Sequence, residues 1–229
     1  MKKIIILLLT GLAYTGYSQN VDEKAYQRYI NVDLYGQMVP GFYLQGNKKV
    51  EAQIKYQQPV EIQNEAVPFV IDKGNGEETL PKSKIHAISF DGHVFVPEDL
   101  GDSVIWVMVS REGAIRESVY FMPEPATKPR YYKVNHLVTN TLTHEGHFVG
   151  TLAVNFNKFM ASMTADNPEI ADKISSRQQG YRFIDYQKII AEFNLWFQEK
   201  YPKKIKYVGE VPDFQALIDN DLSKYLPKK

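Results

Sequence analysis

Residues 85–96 read IHAISFDGHVFV, and residues 104–109 read VIWVMV. In the first stretch two apolar runs flank Asp91-Gly92. A two-residue Asp-Gly loop suits a type I′ hairpin, because both loop positions need positive φ. The second stretch is apolar at every position, including Trp106 and Met108, which predicts a central strand buried on both faces. Arg111-Glu112-Gly113 is expected to turn it back into a strand over Ala114–Phe121. Together these runs place an antiparallel sheet in the middle of the chain.

The β pattern extends in both directions. Upstream, Val50, Ala52, Ile54 and Tyr56 alternate with Glu51, Gln53 and Lys55, the period of a strand with one wet face. Gly46-Asn47 suits a tight turn from Phe42-Tyr43-Leu44. Pro40-Gly41 reads as a turn that closes a polar lead-in. Pro59 and Pro68 predict edges or loops, and Gly74-Asn75-Gly76 a flexible turn. Downstream, Pro123, Pro125 and Pro129 interrupt the pattern before a last strand over Tyr131–Val138.

After Gly150 the period changes to that of helices. Leu152, Phe156, Phe159, Met160 and Met163 share one helical face. Asn167 is a good N-cap and Pro168 suits the first helical position. Ile170 and Ile174 make that helix's apolar stripe, and Gly180 is expected to end it. Asp185 is expected to cap a longer helix reaching about Tyr201, with Ile184 and Ile189 as a hydrophobic staple and Ile189, Ile190, Phe193, Trp196 and Phe197 as its apolar face. Pro202 stops it. A Lys-rich linker then leads to a short amphipathic helix over Asp213–Leu222. Strands followed by helices predict an α+β fold: an antiparallel β-sheet or partial barrel with a helical C-terminal part packed on it.

The first eighteen residues carry an address. Lys2 and Lys3 precede the apolar run Ile4–Leu9, and Gly16 and Ser18 stand at −3 and −1 before Gln19. This is the pattern of a secretory signal peptide cleaved after Ser18, with an apolar core too short to span a bilayer. The expected organisation is a signal peptide over 1–18, a lead-in over 19–40, a β-rich region over 41–150, a helical region of the same domain over 151–202, and a linker with the C-terminal segment over 203–229. Cleavage leaves 211 of the 229 residues, enough for a real core.

Charge and composition narrow the function classes. The chain has 27 basic and 27 acidic residues. Loss of Lys2 and Lys3 with the signal gives the mature chain a formal net charge of −2, so nothing draws it to nucleic acid or to anionic lipid. Arg130-Tyr131-Tyr132-Lys133 is one short basic-aromatic run and reads as an edge strand. The absence of cysteine removes disulfides, thiolate chemistry and a lipid-bearing cysteine after the signal. No later segment is apolar enough for a membrane span.

Candidate chemistry is sparse. His144-Glu145-Gly146-His147 is the one dense group of metal-capable residues. It lacks the i,i+4 histidine spacing and would need a third ligand from His136, His86 or His93. It is expected to be a polar turn between the last strand and the first helix, with no metal. His86 and His93 flank the hairpin out of register and read as separate residues. No serine elbow, phosphate loop or dinucleotide fingerprint occurs, and no cofactor is expected.

Gly41-Phe42-Tyr43-Leu44 followed by Val50–Tyr56 is similar to the opening hairpin of small exported proteins of uncharacterised function from Bacteroidetes-type bacteria. Phe156–Met160, the run Asn167-Pro168-Glu169-Ile170-Ala171-Asp172-Lys173-Ile174, Gly180-Tyr181-Arg182-Phe183, Asp185 and Ile189–Trp196 resemble their helical part. The Ser18-Gln19 exit fits their signals. The resemblance spans most of residues 40–200 and rests on structural motifs. It implies an envelope location and a sheet-plus-helices fold, and it carries over no catalytic residue.

The leading expectation is therefore an exported, non-enzymatic binding or interaction protein whose partner is a protein or glycan of the cell envelope. The alternatives are a secreted hydrolase with a fold-assembled site near His144 and His147, and an accessory envelope protein docked through its C-terminal segment.

Overall fold

The computed structural model describes residues 28–46, 48–123, 132–211 and 220. Asn47, Pro125, Pro129, Arg130, Tyr131 and most of the expected helix over 213–222 lie outside them, as does the signal segment.

The chain runs through β1 (Met38–Gln45), β2 (Lys48–Lys55), the short helix α1 (Pro59–Gln63), β3 (Phe69–Asp72), β4 (Glu77–Leu80), β5 (Ala87–Phe90), β6 (His93–Asp99), β7 (Val104–Glu112), β8 (Ile115–Pro123), β9 (Tyr132–Asn140) and β10 (Glu145–Phe148). The helices α2 (Val149–Met163), α3 (Pro168–Ser175) and α4 (Tyr186–Lys200) follow, then a two-residue β11 (Gly209–Glu210). The fold is α+β. One open antiparallel sheet has the order β10-β9-β8-β7-β6-β5-β1-β2-β3-β4, with β11 added alongside β7. No described helix is long and apolar enough to cross a membrane.

The sheet is buried on both faces over its centre, which accounts for the unbroken apolar runs. Val94, Val96, Val107 and Val109 join a first core with Leu152, Phe156, Met160, Ile170, Ile174, Ile189, Ile190, Phe193 and Phe197 of the helices. Their neighbours Phe95, Trp106 and Met108 point the other way, into a second core with Ile54, Ile62, Phe69, Ile71, Ile88, Phe90 and Phe121. The sheet curls until Phe69 of β3 meets Trp106 of β7 edge to face, 5.3 Å between ring centroids. The Asp91-Gly92 hairpin forms as expected. Phe90 pairs with His93, and both loop residues have positive φ, +50° and +71°.

Several local expectations are corrected. Pro40-Gly41 is not a turn but lies inside β1. The ladder with β5 begins at Gly41, so Pro40 stands just outside it. A Cβ on Gly41 would lie 2.4 Å from Ile54 Cδ1 and from the Ser89 carbonyl oxygen; this glycine serves close approach, not a turn. Pro59 starts α1, where its missing N–H costs nothing. β7 continues through Arg111 and Glu112, and the reversal falls at Gly113-Ala114. Glu145–Phe148 is a strand paired with β9, so the turn itself is Thr141–His144.

Among the helices, Asn167 caps α3 as expected, its Oδ1 accepting from the Ile170 N–H at 3.2 Å. Asp185 makes no side-chain cap for α4. Its carboxylate instead accepts from the Arg182 N–H at 3.2 Å, closing a 3₁₀ turn over Phe183–Asp185. Ile184 is 84% exposed and forms no staple, while Ile189 is fully buried. In the segment expected as a linker, Ile205 is buried in the first core. Asn220 fastens to it, its Oδ1 accepting from the Lys206 and Tyr207 N–H groups and its Nδ2 donating to the Tyr207 carbonyl.

Candidate functional site

A groove of about 430 Å³ opens over β1, β2 and β3, lined by Pro40, Phe42, Glu51, Gln53, Asp72 and Lys73 among others. Strand pairing builds it. Phe42 lies opposite Glu51, Pro40 opposite Gln53, and Gln53 opposite Asp72. Cross-strand partners share a face, so these side chains form one patch on the face away from the second core. The main contacts of α2 and α4 with the sheet fall on β8, β9 and β10, and Phe42 packs against the margin of the first core.

The polar groups of the groove differ in how far the protein uses them. Asp72 Oδ1 accepts from the Gly74 and Gly76 N–H groups at 2.6 and 3.0 Å, shaping the β3–β4 turn. Lys73 pairs with Glu78 at 2.5 Å. Lys49 places its ammonium 3.9 Å from the centroid of the Phe42 ring. Glu51 and Gln53 are exposed and make no hydrogen bond or ion pair with the other described residues.

A second polar assembly lies within the fold. Arg116, 1% exposed, donates through Nη1 to Glu98 at 2.7 Å and through Nε to Glu112 at 2.8 Å. Burial alone would lower the Arg116 pKa, but Glu112 and Glu98 outweigh it and keep the guanidinium charged. Burial pushes the Glu112 carboxyl above the ordinary carboxylate range, with Arg116 opposing. Burial also raises Glu117, opposed by Arg111, whose guanidinium lies 3.1 Å away. Among the described residues, Glu98 and Glu112 thus face the buried Arg116 cation and tie β6, β7 and β8 together.

Both ends of β8 are held by side-chain amides. Asn194 of α4 accepts from the Ile115 N–H and donates to the Ile115 carbonyl, each at 2.8 Å. A Cβ on Gly113 would come within 2.4 Å of that amide, so glycine is required there. At the other end Gln63 donates to the Phe121 carbonyl at 2.6 Å and accepts from its N–H at 2.5 Å. The next residue, Asn64, bridges Ile105 of β7. The end of α1 thus fills the gap where β7 and β8 part. Lys82, 2% exposed, steadies this wedge by donating to the carbonyls of Glu61, Ile62 and Asn64 at 2.6–2.7 Å. Burial lowers its pKa to about 8, with Glu65 and Glu61 opposing.

The histidines do not converge. His144 occupies the β9–β10 turn with φ +61°. His147, on β10, meets Glu145 at 2.9 Å and lies against Phe159 with its ring tilted by 39°, 4.2 Å between centroids. His86, His93 and His136 each have a pKa lowered by burial. Among the described residues no three His, Asp or Glu side chains gather closely enough to hold a metal ion. The groove had no sequence signal beyond the alternation of β2, because its residues meet only through the register of three strands.

No protein-family model matches the chain, and no curated protein or solved structure matches it either.

Proposed function

We propose that this chain is an exported, non-enzymatic binding protein of the periplasm or cell surface, and that it takes a protein or glycan of the cell envelope in the groove over β1, β2 and β3. The observation that carries the reading is the concave patch itself: an aromatic ring, with Glu51 and Gln53 beside it free of bonds to the other described residues. Polar groups converging on an apolar floor are what a ligand site needs. Support for export comes from the basic start, apolar run and small-residue exit of residues 1–18. The exported proteins that the chain resembles point to the same location.

Two measurements test the reading. Mass spectrometry of the protein from its native host should find a mature N-terminus at Gln19; a chain that keeps Met1 and stays in the cytoplasm overturns export. Immobilised mature protein should retain a component of envelope extract that the Phe42→Ala and Gln53→Ala variants release. Equal retention by both variants and the parent overturns the groove as the site.

A further inference from the structure

The chain as a whole is close to neutral, but its charge is unevenly spread where α4 ends. We infer that this end of the molecule is a docking surface for an anionic lipid bilayer, built from residues that the groove does not use. Residues 200–206 read KYPKKIK, four lysines with no acid among them. Glu199 precedes the run and still leaves four cations against one acid over residues 199–206. Lys200, Lys203, Lys204 and Lys206 are all exposed. Elsewhere Lys55, Lys73 and Lys173 each pair with a carboxylate; these four pair with none among the described residues. The helix dipole favours a cation in the last turn of α4, which accounts for Lys200. The other three lie beyond that turn, to which the effect is confined.

The backbone that carries these lysines is held in place. The Tyr201 carbonyl accepts from the Lys204 and Ile205 N–H groups at 2.8 and 3.2 Å. Ile205 is buried in the first core, and the Lys206 carbonyl accepts from the Gln198 side chain at 2.6 Å. Two aromatic rings stand among the charges. Trp196 and Tyr201 meet edge to face, 6.2 Å between centroids. The Lys200 ammonium lies 4.6 Å from the first ring and 5.2 Å from the second, and the Lys204 ammonium lies 4.8 Å from the second. Both rings are half-buried, and neither the indole N–H nor the phenol O–H is hydrogen-bonded to a described residue. Leu195, next to Trp196 in the chain, is 55% exposed. Tryptophan and tyrosine, with an apolar body and a polar tip, are favoured where hydrocarbon meets headgroups. Lysine is a point charge on a flexible stem, not a rigid fork. It therefore suits a fluid array of phosphates better than one fixed anion, and four such charges beside a helix match an anionic leaflet. An acidic peptide would answer the lysines but would give the rings and Leu195 no apolar layer.

The test is flotation of the mature protein, without the apolar run of residues 1–18, on two kinds of vesicle: phosphatidylcholine alone, and equal parts phosphatidylcholine and phosphatidylglycerol. The protein should float with the mixed vesicles and not with the neutral ones. Raising NaCl from about 0.1 M to about 1 M, which shortens the screening length from about 10 to 3 Å, should release it. Binding should shift the emission of Trp196 to shorter wavelength; the other tryptophan, Trp106, is already buried. Lys203→Gln combined with Lys204→Gln should weaken binding about 25-fold, roughly fivefold for each charge, with the melting temperature unchanged because both positions are exposed. Lys200→Gln combined with Lys206→Gln should do the same. Equal flotation on neutral vesicles, or full binding by both double variants, overturns the proposal. If hexaglutamate binds these lysines more tightly than the mixed vesicles do, the partner is an acidic peptide and the bilayer is overturned. None of these outcomes bears on the groove, whose own test uses Phe42 and Gln53.

Discussion

Arg116 faces Glu98 and Glu112 where water does not reach, so the order of cost among substitutions there follows from charge alone. Arg116→Met leaves two carboxylates buried with no cation between them and should cost about 3–5 kcal/mol, the usual penalty for breaking a buried pair. Glu112→Gln removes one of the two negative charges, keeps the Arg116–Glu98 pair and should cost clearly less. Urea denaturation of both variants at neutral pH checks this. Equal losses would mean that shape, not charge balance, sets the energetics of the cluster.

At the level of elements, the helices were the most legible part of the chain. Their apolar spacing put Phe193 and Phe197 on one face, and both are fully buried in the first core. Phe193→Ala should therefore cost about 3–5 kcal/mol, read from the denaturation midpoint; a loss under about 1 kcal/mol would make α4 peripheral. The Asp-Gly hairpin and the doubly buried β7 were legible for the same reason: a short local pattern with one physical solution. What was not legible depended on partners far along the chain. α1 is five residues long, and its end is held by Lys82, Ile105 and Phe121. β10 looked like a polar turn because Gly146 and His147 have little strand character, and pairing with β9 overrides that. Ile184 had staple spacing, but the 3₁₀ turn in front of α4 swings it into solvent. The groove needs the register of β1, β2 and β3 at once, which no single window of sequence contains.

For the whole molecule, two sets of buried groups set opposing pH dependences. Burial depresses the folded pKa values of His93 and His136 below the ordinary 6.5. Below that pH the unfolded chain takes up protons that the fold resists, so stability is full above about pH 6.5 and is lost as the pH falls beneath it. Glu112 and Glu117 have folded pKa values raised above the ordinary 4.5. Their contribution is full below about 4.5 and is lost as the pH rises through the folded values. Between about pH 4.5 and 6.5 neither contribution is at its full value. Replacing both His93 and His136 by Gln should flatten the loss of stability between pH 7 and 5, measured by denaturation at each pH. Glu112→Gln should instead flatten the limb that falls as pH rises from 4.5. An unchanged profile in both variants would show that burial of these groups does not control the acid response.

The two amide clamps on β8 also give each layer its own clock. The Ile115 N–H is bonded to a side chain of α4 and the Phe121 N–H to a side chain of α1, six residues along the same strand. Deuterium from solvent reaches the first hydrogen when α4 lifts and the second when the α1 wedge withdraws, while ladder amides between them wait for larger openings. Gln63→Ala should then speed exchange at Phe121 and leave Ile115 slow, and Asn194→Ala should do the reverse. If both hydrogens accelerate together in either variant, the helical layer and the wedge open as a single cooperative unit, and the strand between them is the hinge that couples the two.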